Sequence, residues 1–174
     1  MTTCITTLLQ SSQRLKIFMC SLTVIFSTSC VSTLLKEPAP KFSSEVILPE
    51  PNSGYEKNTD SNFPTWKHKS TGVMLSVFSD CENPEVNLNE AHRLVSESVE
   101  SSKMQSEARE TIGGKKVFVK SFTGEIEAQP IEVWTATFRN DRCVYISSLS
   151  GHPKKPEQLK AEWYQFIENI KFKK

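Results

Sequence analysis

The side chains best suited to chemistry are three histidines, five cysteines and a small group of carboxylates. His68, His92 and His152 fall on a predicted strand, a predicted helix and a loop, without the HxxxH or HxH spacing of a zinc site. His92 follows Ala91 on the helix, and we interpret it as a residue at the boundary of the core rather than a base. The sequence therefore predicts no catalytic residue, no metal ligand and no cofactor.

Two other stretches have the composition of functional loops but fit ordinary turns better. Asp80, Glu82 and Glu85 surround Cys81 and offer oxygens to a weakly bound cation, yet a solvated loop is the preferred interpretation. Residues 113–116 (GGKK) lack the spacing and the strand-to-helix context of a phosphate-binding loop. We predict a turn there.

The cysteines divide by position along the chain. Cys4, Cys20 and Cys30 lie within the first 30 residues, and Cys81 and Cys143 lie in the rest. In an oxidising compartment we expect Cys81 and Cys143 to form a disulfide, provided that their strands end at the same end of the sheet. The alternative is a pair of buried free thiols that act as small apolar residues.

The first 29 residues predict a signal peptide for export. Arg14 and Lys16 precede residues 17–26 (IFMCSLTVIF), an apolar run of about ten residues that is too short to span a hydrocarbon core of roughly 30 Å. Small residues then lead to a cysteine, and this order is typical of a secretory signal. The alternative is a buried core helix.

Thr28, Ser29 and Cys30 resemble the end of a bacterial lipoprotein signal, whose lipobox is usually Leu, then Ser/Thr/Ala, then Gly/Ala/Ser, then Cys. Ser27 stands where that family usually has Leu. The resemblance implies cleavage before Cys30 and attachment of diacylglycerol and an acyl chain to Cys30. Val31 is not the Asp that favours inner-membrane retention, so the resemblance implies an outer membrane location facing the periplasm. A plain secretory signal cut near the same place is the alternative.

Residues 30–62 predict a lipidated cysteine followed by a tether rich in Pro and Ser. The segment holds four of the nine prolines and shows no helical or strand period, which is typical of a disordered spacer. We expect one folded domain at 63–174. In the alternative, the apolar patch Val46–Leu48 adds as a strand to another element.

Charge excludes one class of partner. The chain has a formal net charge of +1, and loss of the signal removes two positive charges and leaves −1. A nearly neutral chain has no overall attraction for nucleic acid.

The centre of the predicted domain is an antiparallel hairpin. Ile131–Phe138 and Cys143–Leu149 are rich in β-branched and aromatic residues, and Asn140-Asp141 between them predicts a tight turn that places Phe138 opposite Cys143. One face of the hairpin then carries Trp134, Ala136, Phe138, Cys143 and Tyr145, and the other carries Ile131, Val133, Val144 and Ile146. Because both faces are apolar, we expect cover on both sides.

The remaining elements surround this hairpin. The sequence predicts strands at 63–69, 73–79, 103–112 and 117–122, with a helix extension as the alternative for the polar stretch 103–112. Asn87 predicts the start of an internal helix, and Pro156 the start of a C-terminal helix with an apolar stripe from Leu159 to Ile170. The predicted fold is α+β, with an antiparallel sheet of about five to six strands packed with both helices.

The element order and two segments, 71–81 (TGVMLSVFSDC) and 134–148 (WTATFRNDRCVYISS), resemble the PsbP/Mog1-like family over about residues 63–172. That resemblance implies a small domain with an antiparallel sheet between helices. It also implies a binding or accessory role more than catalysis, and it supplies no functional residue.

Three functions follow as hypotheses. The first is a non-catalytic cell-envelope lipoprotein, held on the membrane by its lipid anchor, that binds a protein partner. The second is a small periplasmic hydrolase, which needs polar groups converging in a pocket that the sequence does not assemble. The third is a carrier of a small apolar ligand, which needs an apolar cavity between sheet and helix. We predict the first, and not an enzyme.

Overall fold

The computed structural model describes residues 42–82, 85 and 87–173. The predicted signal peptide, Cys30 and residues 31–41 of the predicted tether lie outside the described residues. Within them, no helix has the length and apolar content to cross a membrane.

The described part of the chain has short strands near both of its ends and long strands in the middle. The strands are β1 (Val46–Ile47), β2 (Tyr55–Lys57), β3 (Thr65–His68), β4 (Met74–Asp80), β5 (Glu100–Ile112), β6 (Lys115–Ile126), β7 (Gln129–Asn140), β8 (Cys143–Gly151) and β9 (Lys171–Phe172). The helices are α1 (Leu88–Ser96), α2 (Lys155–Gln158) and α3 (Lys160–Glu168).

The fold is α+β, as the sequence predicts. Seven strands form one antiparallel sheet in the order β2-β3-β4-β8-β7-β6-β5, and β1 pairs with β9 in a separate two-stranded sheet. The main sheet therefore has one strand more than the upper end of the predicted range, because β2 adds to the predicted hairpin of β3 and β4.

The two faces of the sheet are covered by different helices. The core face carries Ala136, Phe138, Cys143 and Tyr145, and the C-terminal helices bury Trp163, Phe166 and Ile167 in the same cluster. The opposite face, which we term the α1 face, carries Val133, Val144 and Ile146. The predicted division of residues between the two faces is confirmed, and so is cover on both sides.

The turn of the central hairpin lies one residue later than predicted. Asn140 pairs with Cys143, and Phe138 pairs with Tyr145 rather than with Cys143. Asp141 takes the left-handed conformation at φ 52°, which allows β7 to continue through Asn140. The pairing shifts by two residues, and a shift of two keeps every side chain on its predicted face.

Residues 42–62 belong to the folded unit and not to a disordered tether. Val46 pairs with Phe172 and is buried, and Tyr55 pairs with His68 and packs on its ring at 4.9 Å. The predicted domain start at 63 is therefore too late. Strands of two and three residues among prolines are too short to show a period in the sequence.

Two further boundaries differ from the predictions. The sequence predicts a strand at 117–122, but β6 begins at Lys115 and runs on to Ile126. A side chain at Gly124 would collide with Val99 and with the carbonyl oxygen of Glu100, so glycine here permits close approach of the chain entering β5. The C-terminal helix is divided at Leu159, which ends α2 and precedes α3.

The disulfide between Cys81 and Cys143 joins the end of β4 to the start of β8. Their Cα atoms are 4.1 Å apart, and 62 positions separate them in the sequence. The neighbouring pair Asp80 and Val144 belongs to the ladder between these strands. A loop of this length contributes about 4 kcal/mol in the chain-entropy model of disulfide stabilisation.

The β1–β9 sheet offers a test of the revised domain start. Val46 is 8 % exposed, whereas its neighbour Ile47 is 50 % exposed. Because only Val46 buries its methyl groups, Val46→Ala should lower the free energy of unfolding by about 2 kcal/mol. Ile47→Ala serves as the matched control and should change it by less than about 0.5 kcal/mol. Equal effects in denaturant titrations would contradict the packing of β1.

Candidate functional site beside helix α1

Helix α1 lies on the α1 face of the sheet over β6, β7 and β8. Asn87 caps the helix, and its side-chain oxygen accepts a hydrogen bond from the backbone N–H of Asn89 at 2.9 Å. Ala91 is fully buried and forms a cluster with Val144 and Ile146 of β8. The predicted start of this helix at Asn87 is confirmed.

His92 fastens α1 to the sheet through both nitrogens of its ring. Nδ1 lies 2.6 Å from Oγ1 of Thr135, and Nε2 lies 2.9 Å from Oγ1 of Thr137. His92 is 3 % exposed and both threonines are fully buried, so it lies inside the protein and not at the predicted boundary. A histidine with both nitrogens occupied is poorly placed to act as a general base.

The threonine contacts favour one ring nitrogen of His92 as the protonated one. The hydroxyl of Thr137 donates to the carbonyl oxygen of Leu88 at 3.1 Å, so it accepts from Nε2–H of His92. The hydroxyl of Thr135 then donates to Nδ1 at 2.6 Å, a shorter contact than its 3.5 Å separation from the carbonyl oxygen of Lys120. Burial, together with the positive charge of Lys120, lowers the pKa of His92 to about 4, against the weaker opposing effect of the Phe118 carbonyl. The imidazole is therefore neutral at physiological pH.

The helix leaves one part of the α1 face uncovered, and this part forms a groove. Its floor consists of side chains from β5 and β6, and its wall is the outer side of α1. Two cavities of about 470 Å³ and 420 Å³ lie along it, and Asn89 lines both. Nζ of Lys120 donates to Oδ1 of Asn89 at 2.5 Å, so this hydrogen bond separates the two halves. We call the whole feature the α1 groove.

An aromatic ring with two cations forms the floor of the α1 groove. Arg109 lies 5.6 Å and Lys120 5.2 Å from the ring centre of Phe118, and His92 meets the same ring edge-on at 5.2 Å. Lys120 also forms an ion pair with Glu107 at 3.3 Å. Such a ring with fixed cations can bind a group that is both planar and anionic, or an extended chain with acidic side chains.

The outer border of the groove is β5, the last strand of the main sheet. Its thirteen residues are exposed at every position except Glu110, which is half-buried, and Ile112, which is buried. The prediction of a polar edge strand at 103–112 is confirmed, and the strand begins earlier, at Glu100. Its register with β6 is irregular before Ser106 and regular from there to Ile112.

The loops that the sequence singled out have structural roles here. Oδ1 of Asp80 accepts a hydrogen bond from the backbone N–H of Glu82 at 2.9 Å. Gly113 and Gly114 form the β5–β6 turn, both with positive φ. A side chain on Gly113 would lie 2.9 Å from the backbone of Glu168, which explains glycine at this position. Among the described residues, no three His, Cys, Asp or Glu side chains are placed to hold a metal ion.

A larger cavity, of about 930 Å³, lies at the end of β4 beside the disulfide. Its lining mixes apolar and aromatic residues with serines and charged groups; the apolar and aromatic ones are Phe42, Phe63, Phe78, Val95 and Ile146. A carrier needs a predominantly apolar lining with few polar groups.

Sequence reasoning missed the residues of the α1 groove. Phe118, Lys120 and Phe122 alternate along β6 and so share one face, and Glu107 and Arg109 do the same on β5. That alternation is present in the sequence. The missing information was the position of α1, which covers β6 only in part.

Comparison with known proteins identifies the fold but no family. No protein-family model matches the sequence, and no curated protein matches it either. Solved structures do match. LpqN of Mycobacterium tuberculosis, which is involved in cell envelope biogenesis, is 10 % identical, with a TM-score of 0.50, over 78 % of this chain and 87 % of that chain. PsbP of the cyanobacterium Synechocystis sp. PCC 6803 is 8 % identical, with a TM-score of 0.50, over 79 % and 98 %.

The chain has a PsbP-like fold. A third structure, the protein of unknown function PA94 from Pseudomonas aeruginosa, is 11 % identical with a TM-score of 0.47 over 76 % of this chain and 85 % of that chain. The α+β fold and the PsbP-like part of the predicted resemblance are confirmed by LpqN, by the cyanobacterial PsbP and by the strand order.

The buried imidazole predicts how stability depends on pH. The pKa of His92 is about 4 in the folded chain against 6.5 in the unfolded chain, so the unfolded state binds the proton first as the pH falls. The contribution of His92 is therefore complete above pH 6.5 and declines down to about pH 4, by about 3 kcal/mol in total. His92→Gln should remove this part of the pH dependence in urea titrations, whereas His152→Gln, at an exposed loop position, should keep it. Identical pH profiles for wild type and His92→Gln would refute the assignment.

Proposed function

We propose that this protein is a non-catalytic cell-envelope lipoprotein, anchored through Cys30, whose folded unit binds a protein partner in the α1 groove. The proposal has two parts, a location in the cell envelope and the binding of a protein partner. The sequence supports the location, and the geometry of the groove supports the binding.

The disulfide supports an exported protein. Structural disulfides persist in oxidising compartments and are rare in the cytosol. Cys81 and Cys143 are joined, and the export signal with Thr28-Ser29-Cys30 precedes them. LpqN, which is similar to this chain in fold, is involved in cell envelope biogenesis. These observations agree with a periplasmic domain tethered by a lipid.

The floor of the α1 groove carries the proposal of binding. Arg109 and Lys120 are held over the Phe118 ring, and Asn89 supplies a polar wall. The one histidine of this site holds α1 in place through both ring nitrogens, so its imidazole is not free to act as a base in the groove. Fixed complementary charges of this kind select and orient a protein partner. We expect the bound segment to carry acidic side chains.

Labelling with palmitate tests the anchor. The wild-type chain should incorporate labelled palmitate, and Cys30→Ala should not, because Cys30 supplies the only thiol at the end of the lipobox-like segment. Cys20→Ala, inside the apolar run, is the matched control and should keep the label. Label in Cys30→Ala, or release of the wild type as a soluble protein, would contradict anchoring through this residue.

Site-specific photo-cross-linking in cells tests the groove. A photoreactive amino acid at Arg93, an exposed position that lines the groove, should give an adduct with a protein of defined mass. The same amino acid at Lys67, exposed on β3 at the far side of the sheet, is the matched control and should give none. Arg109→Gln should reduce the Arg93 adduct because it removes one cation from the Phe118 ring.

Mass spectrometry separates an adduct with another protein from an adduct with a second copy of this chain. Equal adducts from Arg93 and Lys67, or an Arg93 adduct that Arg109→Gln leaves unchanged, would contradict binding in the α1 groove. Absence of any Arg93 adduct would contradict it as well.

A further inference from the structure

The outer edge of β5 is open within the described part of the chain. β5 pairs only with β6 and ends the main sheet, whereas the opposite edge is the three-residue strand β2. An edge strand of thirteen residues has a row of backbone N–H and C=O groups that can pair with another strand. Natural proteins usually protect long edges with charges, so the arrangement of charges on β5 decides what can pair there.

Geometry limits how β5 can pair with itself. In an antiparallel pair, residues directly opposite each other lie on the same face of the sheet. Successive residues of one strand lie on opposite faces. When two copies of one strand pair, the two-fold axis must therefore lie between the two copies of a single residue, and not between two successive positions of the sequence. The regular part of β5 runs from Ser106 to Ile112. Registers centred on Glu107, Arg109 or Glu110 place identical charges opposite each other, which is destabilising.

The register centred on Ala108 has the reverse effect. It places Glu107 of each chain opposite Arg109 of the other, so two ion pairs form around the axis. Glu107 and Arg109 lie on the same face, since they pair with Lys120 and Phe118 of β6. Ala108 itself is exposed, and its small side chain allows the two backbones to approach.

We propose that β5 pairs with β5 of a second copy of this chain, antiparallel and centred on Ala108. The two sheets then continue as one sheet across the two-fold axis, and the axis is perpendicular to it. The α1 faces of both copies therefore lie on the same side. The two α1 grooves open toward each other, with β5 of each copy at the middle of a common floor, so each groove is completed by its partner copy.

A cysteine at the two-fold axis tests the pairing of β5 strands. The experiment uses the full chain, expressed in the cells that make it. Residues directly opposite each other in an antiparallel pair have Cα atoms about 4.5–5.5 Å apart, within the range of a disulfide. Ala108→Cys should therefore give a covalent dimer on non-reducing gels that a reductant converts to monomer. Thr111→Cys is the matched control on the same exposed strand, because its two copies would lie about 20 Å apart along the strand in this register.

Charge reversal tests the register independently of the cysteine. Added to Ala108→Cys, either Glu107→Arg or Arg109→Glu should reduce the covalent dimer several-fold, because like charges then oppose each other on both sides of the axis. The chain with both reversals should recover it. Co-expression of the two single-reversal chains should give the mixed dimer, because every opposing pair is again of opposite sign.

Three results would overturn the proposal: no covalent dimer with Ala108→Cys, equal dimer with Thr111→Cys, or a dimer that single charge reversals leave unchanged. Equal amounts of each variant on reducing gels, together with an intact Cys81–Cys143 disulfide, show that the variants fold. The measurement records pairing between copies alone, so it succeeds or fails independently of a partner in the α1 groove.

Discussion

The contact between His92 and the threonines of β7 determines which part of the sheet stays open. A buried imidazole with an unsatisfied nitrogen would cost on the order of 1–3 kcal/mol, and here Thr135 and Thr137 satisfy both nitrogens. Because these partners are fixed on β7, α1 cannot slide toward β5 without leaving them. The helix covers β8, β7 and part of β6, and the α1 groove is the area that remains.

On the opposite face of the sheet, a C-terminal helix lies against this edge. The C-terminal helix α3 reaches β5 on the core face, where the hydroxyl of Tyr164 donates to Glu110 at 3.0 Å. At the start of β6, Nζ of Lys115 donates to the carbonyl oxygen of Glu168 at 2.9 Å. Burial and the contact with Glu110 raise the pKa of Tyr164, so the phenol remains a donor. β5 is thus fastened from one side only. Its side chains on the α1 face are exposed from Glu100 to Arg109.

The sequence contains most of the fold because most of it depends on alternation and on helical periodicity. The two faces of the β7–β8 hairpin, the cap at Asn87 and the apolar stripe of the C-terminal helices depend on local patterns, and all were predictable. β1 and β2 were not, because strands of two or three residues have no period and form only against partners far away in sequence.

The candidate site was harder to predict for the same reason. The burial of His92 depends on Thr135 and Thr137, which lie 43 and 45 residues away along the chain. Strand register brings Arg109, Phe118 and Lys120 together. They line the α1 groove because α1 does not extend over this part of the sheet. Alternation assigns a face to each residue and cannot tell which part of that face stays uncovered.

Amide hydrogen exchange along β5 is the most direct test of the account. It measures whether the outer backbone amides of β5 are unpaired in a single copy and paired when two copies associate. In dilute solution, the amides between Ser106 and Ile112 that point away from β6 should exchange much faster than those that point toward it, while the amides of β7 stay protected. At high concentration the outward amides should become protected around Ala108 first. Uniformly slow exchange along β5 in dilute solution would contradict the account, because it would show that another part of the same chain already covers the edge.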